Sequence, residues 1–420
     1  MTIAEGGVDD SIVIIGGGQA AVSAATTLRQ GGHRGSIDIV AAEAVAPYQR
    51  PPLSKKYLAG DMDLERLKLK PDSFYPENDI TLHLSTRAEA IDRRAGRVQT
   101  SAGSLSYDRI ILATGSIPRR LPDEIGGALP GVFSVRDIVD IDTMAPYLVA
   151  GRRAVVVGGG YIGLEAAAVA ARRGLQVTVL EQAPRILARV AAEPTATHVA
   201  ALHRAEGVDI RAGASVTGIE RSGDSLAVTL QDGAVLVADT VVVGIGVLPA
   251  DALARAAGLP CDDGIVVDGQ CRTGDPAIYA AGDVAAFPWA MPDGREQRIR
   301  LESVQNAIDQ ATHAARAILG EEAPYRPNPW FWSDQFDTRL QIAGLNLGHD
   351  RTVSRSGSRP GAPLGGRSVW YFAGTKLLAV DAIDDPRAYM QGKRWLEAKQ
   401  YPALERLADD ECPLKDTLVS

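Results

Sequence analysis

The chain has 420 residues, 45% of them hydrophobic, and a formal net charge of −8. That length points to two or three domains, the acidic balance argues against nucleic-acid binding, and no apolar run approaches the roughly 18 residues a membrane span needs. Cys261, Cys271 and Cys412 are scattered and form no CxxC or metal-ligand spacing, and the six histidines make no HxxxH pair, so neither a redox dithiol nor a bound metal is expected. The N-terminal MTIAEGGVDD is acidic and lacks a signal-peptide pattern, so a cytoplasmic location is expected.

The first informative segment is SIVIIGGGQAA, Ser11 to Ala21. Its β-branched run, Ile12 to Ile15, reads as a buried parallel strand. Gly16 permits a tight turn, Gly18 lets backbone approach a diphosphate, and Ala21 takes the position where helix packs on strand. The N–H groups of the helix that follows offer partial positive charge to that diphosphate. A second strand, IDIVAAE, ends at Glu43, an acid suited to accept from a ribose hydroxyl. Pro47 to Leu58 (PYQRPPLSKKYL) is a loop dense in proline and cations, and Tyr107 to Arg119 (YDRIILATGSIPR) reads as a strand entering a glycine turn.

RAVVVGGGYIGLE, Arg153 to Glu165, repeats the arrangement, with Gly158, Gly160 and Gly163 in the three glycine positions and QVTVLE ending at Glu181. Glu181 would repel a 2′-phosphate and the nearest following cation is Arg185, which favours NADH over NADPH; a swing of Arg185 or Arg189 onto a phosphate is the open alternative. The block from about Leu121 to Pro249 closes on VVVGIGVLP. PAIYAAGDVAA, Pro276 to Ala286, is a further strand ending in Gly-Asp, and a helix is expected from about Ser303 to Leu319.

After Tyr325 the composition changes to aromatic-rich PNPWFWSDQ. Strand-like stretches follow at Leu340 to Ala343, Ser368 to Phe372 and Leu377 to Ile383, with a hairpin turn at Gly374-Thr375. A helix is expected over about Pro386 to Lys399, and Arg355 to Arg367 reads as a mobile loop. Two fingerprints in one chain suggest two dinucleotides, one passing electrons to the other. The expected architecture is α/β: two Rossmann-like dinucleotide-binding domains, one inserted in the other, plus a C-terminal α+β domain, divided as 1–120 with 250–325, 121–249, and 326–420.

The succession GGGQAA, PYQRPPLSK, ATGSIPR, GGGYIGLE, VVVGIGVLP, IYAAGDVA, RLESVQNA and PWFWSDQ resembles, over nearly the whole chain, the ferredoxin reductases of bacterial oxygenase systems, of the putidaredoxin reductase and biphenyl dioxygenase reductase type. The resemblance implies a glutathione-reductase-like fold that moves electrons from NADH through FAD to a [2Fe-2S] ferredoxin, which supplies a cytochrome P450 or a Rieske-type oxygenase. It further implies that Gly16, Gly18, Ala21, Glu43, Arg50, Ala113, Thr114, Gly115, Arg136 and Asp283 hold FAD, with Lys55 near the flavin ring and paired with Glu165. Glu302, Ser303, Val304, Gln305 and Trp332 would line the flavin and nicotinamide site. Gly158, Gly160, Ile162, Gly163, Glu181, Arg189, Gly244, Ile245 and Gly246 would hold NADH.

Lys55 and Glu165 are the catalytic candidates, the lysine stabilising an anionic reduced ring and the carboxylate holding the lysine. Their plainer readings are a solvated loop lysine beside Lys56 and a helix-surface carboxylate. Trp330 and Trp332 alternate on a strand; one is expected to be packed and Trp332 to lie near the flavin, against the plainer reading of domain-junction core. Arg66 to Lys70, and Arg295, Arg298 and Arg300, are candidates for docking an acidic ferredoxin, or simply solvated charge. A rubredoxin reductase, or an NADH-sensing flavoprotein resembling apoptosis-inducing factor, are the competing readings. Oxidases and coenzyme A disulfide reductases of this fold typically carry a cysteine near the flavin, and no cysteine precedes Cys261. A monomer or weak homodimer is expected.

Overall fold

The computed structural model describes residues 8–357 and 364–418. The chain divides into two compact units: residues up to Arg50 with Asp63–Ile117 and Leu248–Pro327, and Pro51–Met62 with Pro118–Val247 and Asn328 onward. Among the described residues no helix is long and apolar enough to cross a membrane.

The first unit is built on a five-stranded parallel sheet in the order Ile278–Ala280, Arg109–Leu112, Ile12–Ile15, Ile37–Val40, Ile80–His83. Ile12, Val13 and Ile14 are fully buried, as a strand with both faces covered requires. The helix Gln19–Gln30 packs along Val304–Ile318 through small side chains, Ala24 and Ala25 on one and Ala311, Ala314 and Ala315 on the other, all almost inaccessible. Strand order reverses direction beside Ile12–Ile15, which opens a crevice at the carboxyl ends of that strand and of Arg109–Leu112.

The second unit repeats this plan with a parallel sheet in the order Asp209–Ala212, Gln176–Glu181, Arg153–Val157, Thr240–Val243, Val132–Ser134. An antiparallel meander, Val216–Ser222, Ser225–Leu230 and Val235–Ala238, closes one side of its core. The unit also contains a five-stranded antiparallel sheet, Trp330–Gln335, Thr338–Gly344, Lys376–Ile383, Arg367–Ala373 and Arg351–Ser356 in spatial order. One face carries Trp370, Phe372 and Val380 against Trp395 of the helix Pro386–Ala398. The fold class expected from the sequence is thus the one observed, with the three five-stranded sheets in the predicted α/β, α/β and α+β settings.

One local expectation changes. Arg351–Ser356 is a strand, so the predicted loop over Arg355 to Arg367 begins inside the sheet, while residues 358–363 of that loop lie outside the described residues. Arg355 is buried, and its guanidinium donates to the carbonyls of Leu407 at 2.9 Å and Cys412 at 2.8 Å. Next to it, Asp410 accepts from the backbone N–H and the hydroxyl of Ser356 at 3.1 and 2.8 Å. The C-terminal tail is therefore pinned to this edge strand. A polar sequence around Arg355 hid the strand, because the arginine's partners lie some fifty residues away.

The opposite face of the antiparallel sheet packs on the helix Glu193–Ala205 and the residues that lead into it. Thr195 Oγ1 donates to Asp381 at 2.7 Å, the Tyr371 hydroxyl donates to the same carboxyl, and the N–H of Ala192 donates to Tyr371 at 2.9 Å. Burial pushes Asp381 up to about 6, with the two hydroxyl donors and His349 opposing the rise. Between an unfolded value of about 3.8 and the folded value, the folded chain holds a proton that the unfolded chain releases, so this carboxyl contributes stability at low pH that is lost as pH rises through about 6. The loss is on the order of 3 kcal/mol. Asp381→Asn should therefore gain stability relative to wild type between about pH 4 and about pH 7, read as the difference in urea midpoint; a difference that stays constant with pH would refute the assignment.

Candidate active site

In the first unit, Gly16 turns the chain out of the strand Ile12–Ile15 with φ +133°, and a Cβ there would collide with the carbonyl oxygen of Ala113. Gly18 behaves differently. It caps the helix Gln19–Gln30 in extended conformation with no side-chain cap, and a Cβ there would meet nothing within 4 Å. Gly16 is thus demanded by the turn, and Gly18 faces open space before an uncapped helix end, which is where a diphosphate would be held. Ala21 is fully buried in the first turn.

Other predicted residues of this unit gather at the same sheet edge. Thr114 Oγ1 donates to the carbonyl of Ala250 at 2.8 Å, and Gly115 adopts φ +70° beyond it. Asp283 follows the strand Ile278–Ala280 and accepts from Ser116 Oγ at 2.9 Å; the adjoining Gly282 lies against Ala20 of the glycine helix. Glu43 is held by the Tyr48 hydroxyl and by Arg50, whose guanidinium stacks 4.6 Å from the Tyr48 ring centre. Ser303 caps the helix Val304–Ile318, accepting from the N–H of Asn306 at 3.1 Å, and Gln305 donates to Asp309 at 2.6 Å. Exposed Glu302 pairs with Arg300 at 2.6 Å. Arg300 also donates to the carbonyls of Asp263 and Asp283, and its side chain is only 7% exposed. It is a structural tie, not a solvated docking charge, whereas Arg295 and Arg298 are exposed. In the Arg66 to Lys70 run, Lys68 is spent on Glu65 and Asp72, both at 2.8 Å.

The second unit repeats the geometry. Gly158 has φ +109°, with the Gly244 carbonyl where a Cβ would go, and Gly163 packs on the Gly158 carbonyl. Gly160 caps the helix Tyr161–Arg172, again with no side-chain cap and open space around it. Glu181 ends its strand and accepts from the N–H groups of Gly159 at 2.8 Å and Ala183 at 2.7 Å. The Arg189 guanidinium lies beside Gly246, and Ile162 is 42% exposed at the helix start. Gly244, Ile245 and Gly246 follow the strand Thr240–Val243, so these residues share one crevice. Arg185 points its guanidinium at the carbonyls of Ile186 and Ala188. Arg136 is half-buried just beyond the strand Val132–Ser134.

Lys55 and Glu165 form an ion pair at 3.0 Å within the second unit. The lysine enters from the turn Pro51–Ser54, and the glutamate is only 4% exposed on the helix Tyr161–Arg172, so it is not a surface carboxylate. Burial raises the Glu165 pKa, opposed by Lys55 and by the hydroxyls of Ser333 at 2.6 Å and Ser54 at 2.7 Å. Sequence reasoning missed both serines. The available signal was strand parity: along Trp330–Gln335 the residues alternate, so Ser333 and Gln335 share the face of Phe331, opposite Trp332.

On the tryptophan face, the rings of Trp330 and Trp332 lie 5.5 Å apart. Lys55 sits 5.8 Å from the Trp332 ring and Lys393 5.6 Å from that of Trp330. Both tryptophans are half-buried, so neither is the packed partner that the sequence suggested. All three cysteines are free thiols; Cys271 is buried, which pushes its thiol up out of the reactive range.

The two kinds of glycine predict different failures. Gly16→Ala should cost about 2 kcal/mol or more of stability, because backbone occupies the site of the new methyl. Gly18→Val should leave the melting temperature of the apoprotein near wild type while the purified protein loses its flavin absorbance. Equal loss of stability in both would refute the open cradle at Gly18.

Residues 10–311 match the Pyridine nucleotide-disulphide oxidoreductase family and residues 330–418 the Reductase C-terminal family. Rhodocoxin reductase of Rhodococcus erythropolis is 42% identical over 407 residues, covering 96% of this chain and 93% of that protein. Putidaredoxin reductase CamA of Pseudomonas putida is 40% identical over 419 residues, covering 98% and 97%. The crystal structure of a covalent putidaredoxin reductase–putidaredoxin complex superimposes with a TM-score of 0.91 at 40% identity, covering 97% of this chain and 98% of that one. The family uses FAD and NAD(H), two ligands that suit two glycine cradles with open, uncapped helix ends. The chain belongs to the ferredoxin reductases of the pyridine nucleotide-disulphide oxidoreductase family.

Proposed function

We propose that this oxidoreductase passes electrons from NADH through FAD to a [2Fe-2S] ferredoxin that supplies a cytochrome P450 or a Rieske-type oxygenase. The observation that carries the reading is the pairing of two open dinucleotide cradles with three free cysteines, none placed as a dithiol to take the electrons. In this reading residues 1–120 and 250–325 bind FAD, 121–249 bind NADH, and 326–420 form a C-terminal α+β domain. The enzyme works as a cytoplasmic monomer or weak homodimer.

Bound FAD supplies two-electron chemistry toward NADH and one-electron chemistry toward the acceptor. The protein's part is positioning and electrostatics. Gly16, Gly18, Ala21, Glu43, Arg50, Ala113, Thr114, Gly115, Arg136 and Asp283 hold the flavin nucleotide, and Glu302, Ser303, Val304 and Trp332 border its ring. Gly158, Gly160, Ile162, Gly163, Glu181, Arg189 and the Gly244–Gly246 turn hold NADH. Lys55 offers a fixed ammonium whose position is set before reaction by a buried carboxylate, so no solvent reorganises around it when negative charge develops nearby.

Cofactor choice rests on Glu181. Its carboxylate already holds two N–H groups at the ribose end of the crevice, and Arg185 turns toward backbone carbonyls. A 2′-phosphate would meet a fixed negative charge there.

The test is anaerobic stopped-flow absorbance. NADH should bleach the flavin bands at least about tenfold faster than NADPH, a difference of roughly 1.4 kcal/mol. Added [2Fe-2S] ferredoxin should restore the bands rapidly. Glu181→Gln should narrow the NADH preference by about tenfold. Bleaching without reoxidation by ferredoxin, but with reoxidation by rubredoxin, would replace the acceptor; no bleaching by NADH would overturn the reading.

A further inference from the structure

The carboxylate of Glu165 is the end of a longer line. Its Oε1 accepts from the Ser333 hydroxyl at 2.6 Å. That hydroxyl accepts in turn from Nε2 of Gln335 at 3.1 Å, and the Gln335 carbonyl oxygen lies 2.8 Å from Nε2 of His203. Every bond runs the same way. A carboxylate can only accept, so Ser333 donates to it; the amide nitrogen of Gln335 can only donate, so its oxygen faces the histidine, whose Nε2 must then carry the proton. Ser333 and His203 are fully buried, Glu165 is 4% exposed and Gln335 3%. Shielded in this way, successive dipoles along the line polarise one another toward the carboxylate.

His203 closes the line at its far end. It sits on the helix Glu193–Ala205, on the far side of the strand Trp330–Gln335 from the tryptophans, against the edge of the Phe336 ring at 5.0 Å. Among the described residues its Nδ1 is buried and has no hydrogen-bond partner. A neutral ring with the proton on Nε2 leaves only a lone pair there, the cheaper group to bury. Burial brings the histidine down to about 4, opposed by its bond to Gln335, so it stays neutral across the working range. The titratable groups facing Glu165 are Lys55 and, on its own helix, Tyr161; Asp381 and Tyr371 lie beyond Tyr161.

We propose that Ser333, Gln335 and His203 are positioning residues for electron transfer: a one-way line of donors that keeps the buried Glu165 ionised, so that Lys55 stays paired to it and fixed in place. This rests on the reading of Lys55 as the ammonium that serves the flavin. The line deepens that reading by assigning part of the site's electrostatics to a histidine with no direct bond to the ion pair.

The experiment follows Glu165 itself by the infrared carboxyl stretch of the FAD-loaded protein, titrated from about pH 9 to about pH 5, with Glu165→Gln identifying the band. Gln335→Leu should raise the protonation midpoint by about one pH unit, a tenfold change in proton affinity. His203→Phe, which keeps the ring packing and removes the donor, should raise it by a smaller amount, and His203→Gln, which restores an N–H, should return it toward wild type. The rate of flavin reduction by NADH should acquire an acid limb at each shifted midpoint. Midpoints and pH profiles that superimpose on wild type, with only the melting temperature changed, would overturn the proposal and leave the line as core packing. A wild type that NADH does not reduce would overturn the electron-transfer reading instead, and the infrared midpoints would still judge the donor line on their own.

Discussion

The second unit is organised around the buried carboxyl of Glu165. A carboxylate taken out of water carries a desolvation cost of several kcal/mol. Glu165 on its helix meets it with an ammonium and a hydroxyl from the turn at Ser54–Lys55 and a second hydroxyl from the strand Trp330–Gln335, so that three segments meet at one group. Each of those segments is fixed by something else. The turn Pro51–Ser54 brings Ser54 and Lys55 together. The helix Tyr161–Arg172 owes its position to the Gly158–Gly163 turn, and the strand Trp330–Gln335 to its pairing with Thr338–Gly344. The carboxylate thus records whether all three are in register, because displacement of any one leaves a buried charge short of partners.

The two parallel sheets show how the same local rule yields two cradles. In both, a strand buried on both faces runs into a glycine that must turn with positive φ, and the next glycine but one opens onto an uncapped helix. In the first unit the acid, Glu43, is gripped by side chains, Tyr48 and Arg50; in the second, Glu181 is gripped by backbone N–H groups. A carboxylate tied to backbone is harder to redirect than one tied to a tyrosine and an arginine, since the backbone donors cannot rotate away.

The sequence made the architecture legible wherever the signal was local. The glycine spacing, the β-branched runs before Gly16 and Gly158, and the hairpin at Gly374 all announce themselves within a dozen residues. What stayed hidden was long-range polar pairing. Arg355 looked like part of a solvated loop because its acceptors are carbonyls of the C-terminal tail. Arg300 looked like a docking charge because nothing nearby in sequence shows that it binds Asp263 and Asp283. Ser333, Gln335 and His203 carry no motif at all; they are joined by strand parity and by a helix more than a hundred residues upstream. Burial turns ordinary polar residues into specific ones, and burial is a property of the assembled fold.

The segment that Arg355 and Asp410 hold against Arg351–Ser356 covers an exposed kind of edge. That strand is the outermost of its sheet, and an outermost strand offers unpaired backbone groups to any passing chain. The helix Leu404–Ala408 packs on it, and the Asp410 carboxylate engages the Ser356 N–H. Cleavage of the chain ahead of Asp410 would uncover that N–H and strand a buried guanidinium without two of its carbonyls in one cut. The segment Leu407–Cys412 therefore serves as a selvedge along this edge of the sheet.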